Sequence, residues 1–502
     1  MFKQLDMTLK NEYSPTLPEF KKLSKKGNLI SVYKEILADT DTPVSAFMKL
    51  RNSKNCFLLE SVEGGEKWAR YSFIGLNPSL IFKSRGDKVT LIKKGKKEQL
   101  ISSNPLLILR DIMQEFKPVE LEGLPRFYGG AVGFMSYDMV KFFEELPDTV
   151  KDDTDWNDSY FMITDTLVIF DNLKHNVKVV CNVHLDEKNP GIDSQYKKAV
   201  QIIDTIISLL NRPLKKPAAC SPGKEMRVRS NFKKKDFKDI VNKAKKYIRA
   251  GEIIQVVLSQ RFETDLNTDP FKLYRSLRMV NPSPYMYYLK MDEDIIVGSS
   301  PEVLVRLEND EIFLRPIAGT RPRGKNENED IRLENSLKKD PKEIAEHIML
   351  VDLGRNDVGR VSKMGSVTVK DFMVIERYSH VMHLVSSVYG ILKKGKNAFD
   401  VLMASFPAGT VSGAPKIRAM EIIDELEKHR RGPYSGSVGY FGFSGNMDFC
   451  ITIRTMLVKN DKIYIQAGAG IVMDSKPENE FVETQNKAKG MIKAIKHAHE
   501  DL

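Results

Sequence analysis

Two Glu-x-x-Glu pairs, Glu343/Glu346 and Glu480/Glu483, stand in helix-like stretches of the last third of the chain. Carboxylates three residues apart share one helix face, and four of them on facing helices would repel unless a cation lay between. Magnesium meets that need by taking one or two carboxylates directly and completing its shell with water and substrate. The four glutamates therefore predict a Mg²⁺ site for an anionic small molecule. At Glu343 a second reading stands beside this one. In KKDPKEIAEH, Asp340 falls at the N-cap, Pro341 at the first helical position and Glu343 at the third, a capping-box arrangement. Glu346 has no capping role, since it follows Ala345 in an apolar helix and shares the Glu343–Leu350 stripe. Glu480, Glu483 and Lys487 form one stripe of the second helix, a pattern that a solvated face would also give.

Blocks with little surface character surround the glutamates: PIAGTRPRG (316–324), MLVDLGRND (349–357), FPAGTVSGAPK (406–416) and QAGAG (466–470). SSPE (299–302) sets Glu302 at a strand end, where burial would raise its pKa towards neutrality and suit it to general acid work. His383 in HVMHLVSSV alternates with Val381 and Val385, which fits either a satisfied core histidine or an acid/base group near pH 7. Arg454 in CITIRTMLV is a lone cation in an apolar strand. Burying it unpaired costs several kcal/mol, so a carboxylate of the protein or of a ligand must meet its planar fork. The AGAG run (467–470) lets backbone amides approach an anion. Gly319 and Thr320 offer a similar contact, and Tyr434 in GPYSG supplies a hydroxyl. Together these residues describe a magnesium ion and two cradles for a small dicarboxylate, with a glutamic acid and a histidine for proton transfer.

The elements that must hold them are mixed. Short alternating runs precede residue 211 (NCFLLES, SLIFKS, KVTLIKK, YGGAVGFMSYD, TLVIFD, VKVVCNVHL), followed by a helix-like segment at 193–211. NRPLKKPAACSPGKEMRVRS (211–230) breaks both periodicities and reads as a linker or surface loop. An amphipathic helix, more strands, and helices at 329–352, 397–405, 415–429 and 477–499 follow, giving an α+β or layered α/β architecture. At 502 residues two or three domains are expected. The formal charge of +11 invites a nucleic-acid reading, but the lysines fall in short groups without interleaved aromatics or a binding module, so no nucleic-acid partner is expected. Cys56, Cys181, Cys220 and Cys450 are scattered, with no Cys-x-x-Cys and no Gly-x-Cys-x-Gly, which excludes a disulfide framework, a zinc knuckle and a cysteine nucleophile elbow. No apolar run reaches membrane length and the first residues lack an apolar signal core, so the expected location is cytoplasmic, with no membrane partner.

In this order the blocks resemble the chorismate-utilising enzymes, and among them the component I (large subunit) family of anthranilate synthases. The likeness covers about 230–490, with a weaker region at 25–175. It implies an α+β fold, layered α/β/β/α, with two large mainly antiparallel sheets flanked by helices. It also implies an N-terminal regulatory region (25–175), the linker (211–230) and a chorismate-binding catalytic region (231–495). By resemblance Glu346 and Glu483 are Mg²⁺ ligands, with Glu343 and Glu480 close by through water. Gly319 and Thr320 hold the ring carboxylate, while Tyr434, Arg454, Gly468, Ala469 and Gly470 hold the enolpyruvyl side. Glu302, His383 and Thr410 are catalytic. LLES (58–61) and NPSPYMYY (281–288) resemble the tryptophan-inhibition site, with Ser61, Pro284, Tyr285 and Met286 as its residues. Two positions discriminate within the family: Ala318 stands where the aminodeoxychorismate synthases carry a nucleophilic lysine, and Gln255 where isochorismate and salicylate synthases carry a lysine base. The implied reaction adds ammonia to chorismate and releases pyruvate to give anthranilate. Ammonia is delivered by a glutamine amidotransferase (component II) in a heterotetramer, and L-tryptophan inhibits. The runner-up within the family is component I of aminodeoxychorismate synthase.

Overall fold

The computed structural model describes residues 12–37, 40–62, 70–185, 191–214, 226–378 and 381–500. Cys220 and the middle of the expected linker, 215–225, lie outside the described residues. Two twelve-stranded sheets, every pairing antiparallel, carry the fold. The first runs from Leu29–Leu37 through Asn176–His184, Thr166–Asp171, Tyr71–Leu76 and Asn55–Glu60 to Tyr285–Met291, Asp294–Ser300, Thr455–Lys459, Lys462–Ile471 and Gln255–Asp265. The second runs from Ile317–Pro322 through Val381–Ile391, Glu311–Leu314, Val303–Glu308, Met447–Ile451 and Ser437–Gly442 to Gly130–Met135, Ser159–Thr164 and Leu80–Arg85. Strands from before and after the expected linker therefore hydrogen-bond directly in both sheets: Asn55–Glu60 with Tyr285–Met291, and Gly130–Met135 with Ser437–Gly442.

Period-two alternation explains the apolar runs, because successive side chains leave opposite faces of a strand. Phe57, Tyr287 and Leu289 enter the core shared with the second sheet, beside Phe134, Phe161 and Phe441. Their neighbours Leu58, Met286 and Tyr288 face the opposite side, where helices cover the sheet. Those helices bury residues at three- and four-residue spacing: Tyr196, Ala199, Ile203, Ile206 and Leu210 in Ile192–Leu210, and Ala488, Met491, Ile495 and Ala498 in Pro477–Glu500. Pro341–Gly359 and Ala398–Ser405 cover the second sheet. The expected layered α/β/β/α arrangement is the one observed. The helical stretch 329–352 resolves into Glu327–Lys338 and Pro341–Gly359, because Asp340 accepts from the amides of Lys342 and Glu343 and Pro341 begins a new helix.

Two chain crossings between the sheets set the site. Residues 301–302 carry the chain from Asp294–Ser300 to Val303–Glu308, and residues 452–454 carry it back from Met447–Ile451 to Thr455–Lys459. The crossings lie side by side: the Ile451 amide donates to the Glu302 carbonyl (3.0 Å) and the Ser299 amide to the Arg454 carbonyl (3.1 Å). CITIRTMLV is therefore not one strand, as its apolar pattern suggests. It breaks at Arg454, whose φ of +53° turns the chain from one sheet to the other. QAGAG, whose small residues suggest an anion-binding turn, lies within the strand Lys462–Ile471.

Candidate active site

Glu302 and Arg454 occupy these neighbouring crossings. The Glu302 side chain is buried, and burial pushes its pKa up to about 8, with Thr410, Arg454 and Lys487 pulling the other way. The carboxyl is thus uncharged at neutral pH and able to donate a proton. The Thr410 hydroxyl faces this carboxyl without completing a well-formed hydrogen bond. Among the described residues the Arg454 guanidinium has no ion-pair or hydrogen-bond partner; burial lowers its pKa, while Tyr434, Glu302 and Glu483 act through charge to raise it. The carboxylate that a buried arginine needs is not supplied at contact distance by the protein, which leaves the fork for an anionic ligand.

His383 is placed by a β-bulge. Ala318 pairs with Leu384 and Thr320 with His383, so Gly319 is the extra residue between them, at φ +67°. A left-handed φ suits glycine, and a Cβ there would come within 3.0 Å of Leu337 Cδ1 and 3.1 Å of Glu343 Oε2. The bulge turns the Gly319 carbonyl onto His383 Nδ1 at 3.0 Å, with Thr320 Oγ1 also 3.0 Å from that nitrogen. A carbonyl only accepts, so Nδ1 carries the proton and Nε2 presents a lone pair. Burial first, then the charge of Arg454, holds the imidazole below its ordinary pKa, against the Gly319 carbonyl. His383 is therefore neutral and basic at Nε2.

The four glutamates lie within the first two turns of the helices Pro341–Gly359 and Pro477–Glu500. Asp340 is the N-cap, as the sequence predicts, but the Glu343 carboxylate does not close a capping box: Arg321 donates to it at 3.2 Å and to Asp340 at 2.7 Å. Burial raises the pKa of Glu346, and Glu343 and Glu483 add to the rise as like charges. Burial and Glu483 likewise raise that of Glu480, against a hydrogen bond with Ser475. The Glu346 carboxylate has no hydrogen bond or ion pair among the described residues. No group of three or more His, Cys, Asp or Glu that could hold a metal is found among the described residues. A protein cage for a metal is therefore not formed among these residues; a divalent ion here would have to take few carboxylates and complete its shell from water and substrate.

Lys487 joins this acidic face to the anion cradle: its ammonium pairs with Glu483 at 2.7 Å and donates to the Gly468 carbonyl at 2.9 Å. Gly468, Ala469 and Gly470 pair with Ser259, Leu258 and Val257, whereas the other neighbouring strand ends its pairing at Ile465. The sheet opens where the second chain crossing leaves it, so one edge of the glycine segment is free. Close approach explains the small residues: a Cβ on Gly468 would lie 2.8 Å from the buried Tyr434 hydroxyl, and one on Gly470 2.8 Å from Gln255 Nε2. Gln255 is itself buried, with Oε1 unpartnered. Sequence reasoning missed Arg431. Its buried guanidinium holds Glu427 (2.9 and 2.7 Å) and the carbonyls of Val411 and Val257 (2.7 Å each), and stacks at 5.6 Å on Tyr434. Its place in the basic run EKHRRG disguised it as surface.

Ser61, Pro284, Tyr285 and Met286 line one cavity of about 260 Å³, together with Arg126, Glu60, Asp448 and Cys450. It lies between the sheets, with Tyr285 donating to Asp448 at 2.8 Å and Arg126 pairing with Glu308 at 2.9 Å. Residues that are distant in sequence thus meet in a second chamber, separate from the first.

Comparison with known proteins accords with this geometry. Residues 54–493 match the family of chorismate binding enzymes. The anthranilate synthase component 1 of Acetivibrio thermocellus is 51% identical over 494 residues, covering 97% of this chain and 99% of its own. That of Aquifex aeolicus is 51% identical over 488 residues, covering 97% and 98%. In structure the chain resembles anthranilate synthase component I from Streptococcus pneumoniae (TM-score 0.74, 37% identity, 91% of this chain and 98% of that one). It also shares its fold with the menaquinone-specific isochorismate synthase of Escherichia coli (TM-score 0.71, 18% identity, 95% and 98%). A buried neutral acid, a basic histidine and an unpaired guanidinium in this frame, with relatives that match it almost end to end, lead to one conclusion: the chain belongs to the chorismate-binding enzymes, within the anthranilate synthase component 1 family.

Proposed function

We propose that this chain catalyses the Mg²⁺-dependent conversion of chorismate and ammonia to anthranilate and pyruvate. Ammonia comes from glutamine through a partner amidotransferase, component II, and L-tryptophan inhibits from the cavity that contains Ser61, Pro284, Tyr285 and Met286. The observation that carries the reading is an uncharged buried Glu302 beside an Arg454 guanidinium with no protein counter-ion. Arg454, Tyr434 and the Gly468–Gly470 edge hold the enolpyruvyl carboxylate, and Gly319 and Thr320 border the ring carboxylate. Glu346 and Glu483, with Glu343 and Glu480 close by, would hold a magnesium ion, which would supply positive charge for the ring carboxylate.

The ammonia lone pair forms a bond to C2, the ring double bonds shift, and the C4–oxygen bond breaks. Glu302 gives its proton to the departing oxygen, which leaves as water, and Thr410 orients that carboxyl. The ammonium formed at C2 gives up a proton to solvent. His383 Nε2 then takes the C2 proton as the C3–oxygen bond breaks, the departing enolate oxygen takes a proton from solvent, pyruvate leaves as its enol, and the ring becomes aromatic. Ala318 offers no amine for covalent attack, and the neutral amide of Gln255 does not activate water; both favour ammonia as nucleophile. A cytoplasmic location suits the three buried free thiols Cys56, Cys181 and Cys450 and the lack, among the described residues, of a helix long and apolar enough to cross a membrane.

The test is anthranilate fluorescence from the purified chain with chorismate, Mg²⁺ and excess ammonium at alkaline pH, with and without tryptophan. Fluorescence that tryptophan suppresses supports both parts of the proposal. Chorismate consumed to a para-amino or non-aromatic product would move the chain to another branch of the family.

A further inference from the structure

Glu302 also lines a cavity of about 30 Å³, whose other polar walls are Arg315, Asp357, Ser405 and Thr410; the Arg315 guanidinium is engaged by Glu376. Asp357 is buried and its carboxylate meets the Lys416 ammonium at 2.8 Å. The lysine side chain retains some exposure, so the pair joins the cavity to the surface. Ser405 Oγ and Thr410 Oγ1 are buried without a completed hydrogen bond. A hydroxyl left in that state costs about 1–3 kcal/mol. A cavity of this size admits one or two waters, at roughly 10–15 Å³ each, to satisfy both hydroxyls. The blocks MLVDLGRND and FPAGTVSGAPK, whose Asp357 and Lys416 play no part in the chemistry above, thus converge behind the general acid.

We propose that Asp357, Lys416 and one or two waters ordered by Ser405 and Thr410 form a proton path that reloads Glu302 between turnovers. The inference rests on the proposed role of Glu302 as the acid. Each turnover breaks the Glu302 O–H bond as its proton joins the C4 oxygen and water departs. The emptied carboxylate then takes a proton from the cavity water. That water takes one from the Asp357–Lys416 pair, which solvent refills, and no electrons are exchanged. The charged groups acting on Glu302 are Arg454 and Lys487, those acting on Asp357 are Lys416 and Arg360, and Arg315, paired with Glu376, lines the cavity between them. Asp357 and Ser405 are positioning residues, since neither reaches the substrate.

Ser405→Val fills the cavity and dries the path. With ammonium as the nitrogen source, kcat should fall about tenfold, with chorismate KM within about twofold and a larger solvent deuterium isotope effect on kcat. Ser405→Ala, which leaves room for water, should lose less. Asp357→Asn should reproduce the loss and Asp357→Glu should partly restore it. A readout independent of turnover is the infrared carbonyl stretch of protonated Glu302, identified by its disappearance in Glu302→Gln. Loss of the water's hydrogen bond in Ser405→Val should raise its frequency. A folded Ser405→Val with wild-type kcat, isotope effect and carbonyl frequency overturns the path. So does a raised chorismate KM with unchanged kcat, which would mark the position as structural. If the wild-type chain forms no anthranilate, the reaction assignment fails instead, and the carbonyl shift still decides whether water joins Glu302 to Asp357.

Discussion

Glu302→Gln keeps the shape of the side chain and removes its proton, and its consequences for stability and catalysis run in opposite directions. The folded chain holds the Glu302 proton until about pH 8, whereas the ordinary carboxyl of the unfolded chain loses it near 4.5. Between those values the folded state binds more protons than the unfolded state, so stability falls as pH rises through the window. The cost is absent below pH 4.5, reaches about 3 kcal/mol at pH 7 and levels off near 5 kcal/mol above pH 8, at ~1.36 kcal/mol per pH unit. Glutamine escapes that cost but buries an amide at roughly 1–3 kcal/mol. The variant should therefore be the more stable by about 2 kcal/mol at pH 8.5, with the advantage lost towards pH 5. Catalysis should fall by about 10²–10⁴, the usual yield of a positioned acid. Wild-type kcat/KM for chorismate, measured at constant free ammonia, should fall tenfold per unit above about pH 8. Denaturant titrations from pH 5 to 9, paired with anthranilate fluorescence, measure both. A stability difference between variant and wild type that does not change with pH would refute the argument, because it would mean that Glu302 ionises normally in the folded chain.

Four further outcomes follow from the geometry. Arg454→Ala should lose 2–5 kcal/mol of chorismate transition-state binding, about 30- to several-thousand-fold in kcat/KM, with Arg454→Lys recovering only part because the fork is gone; steady-state kinetics on both variants checks this. Gly319→Ala forces a Cβ onto Leu337 and Glu343 at a left-handed φ, so thermal denaturation should show a loss of at least about 1 kcal/mol, and kcat should drop as His383 loses its carbonyl partner. Glu346→Gln should abolish the response of turnover to Mg²⁺ in a metal titration while leaving the fold intact in circular dichroism. Ser61→Phe, which fills part of the 260 Å³ cavity, should leave anthranilate formation unchanged and blunt inhibition in a tryptophan titration.

What the sequence makes legible depends on whether a local rule or a distant contact decides each feature. The start of the helix at Asp340–Pro341 is local chemistry, and it appears as read. Runs such as YMYYLKM are legible as strands because both faces of the first sheet are buried, so every second residue enters one core and the rest the other. The break in CITIRTMLV was not legible, since its halves alternate alike and only the neighbouring crossing at Glu302 shows why Arg454 must turn. QAGAG reads as an anion-binding turn because its small residues suggest no strand, yet they are small so that Tyr434 and Gln255 can press against its backbone. Arg431 and Glu427, four apart beside lysine and histidine, look like a solvated pair. Their burial follows from Val257, over 170 residues away, whose carbonyl receives the guanidinium. Fold class follows from pattern, whereas partners across the sheet and at the chain crossings follow only from assembly.

The two chambers are joined by the strands that make them. Met447–Ile451 turns Asp448 and Cys450 into the larger cavity, and its last residue, Ile451, donates its amide to Glu302. Tyr285, in the same cavity, pairs in register with Ser300, two residues before Glu302, and its hydroxyl donates to Asp448. A molecule that displaces the Tyr285–Asp448 pair therefore pushes on both strands within a few residues of the crossings that aim the acid and the guanidinium. Close-packed sheets do not bend smoothly, so a small displacement in the cavity reaches Glu302 and Arg454 together. Coupling between distant sites typically amounts to 1–3 kcal/mol, and here it has only to misalign two hydrogen-bonded crossings. Because the crossings bond to each other, an occupant of the cavity, if it inhibits as proposed, would act on proton donation and anion binding at once.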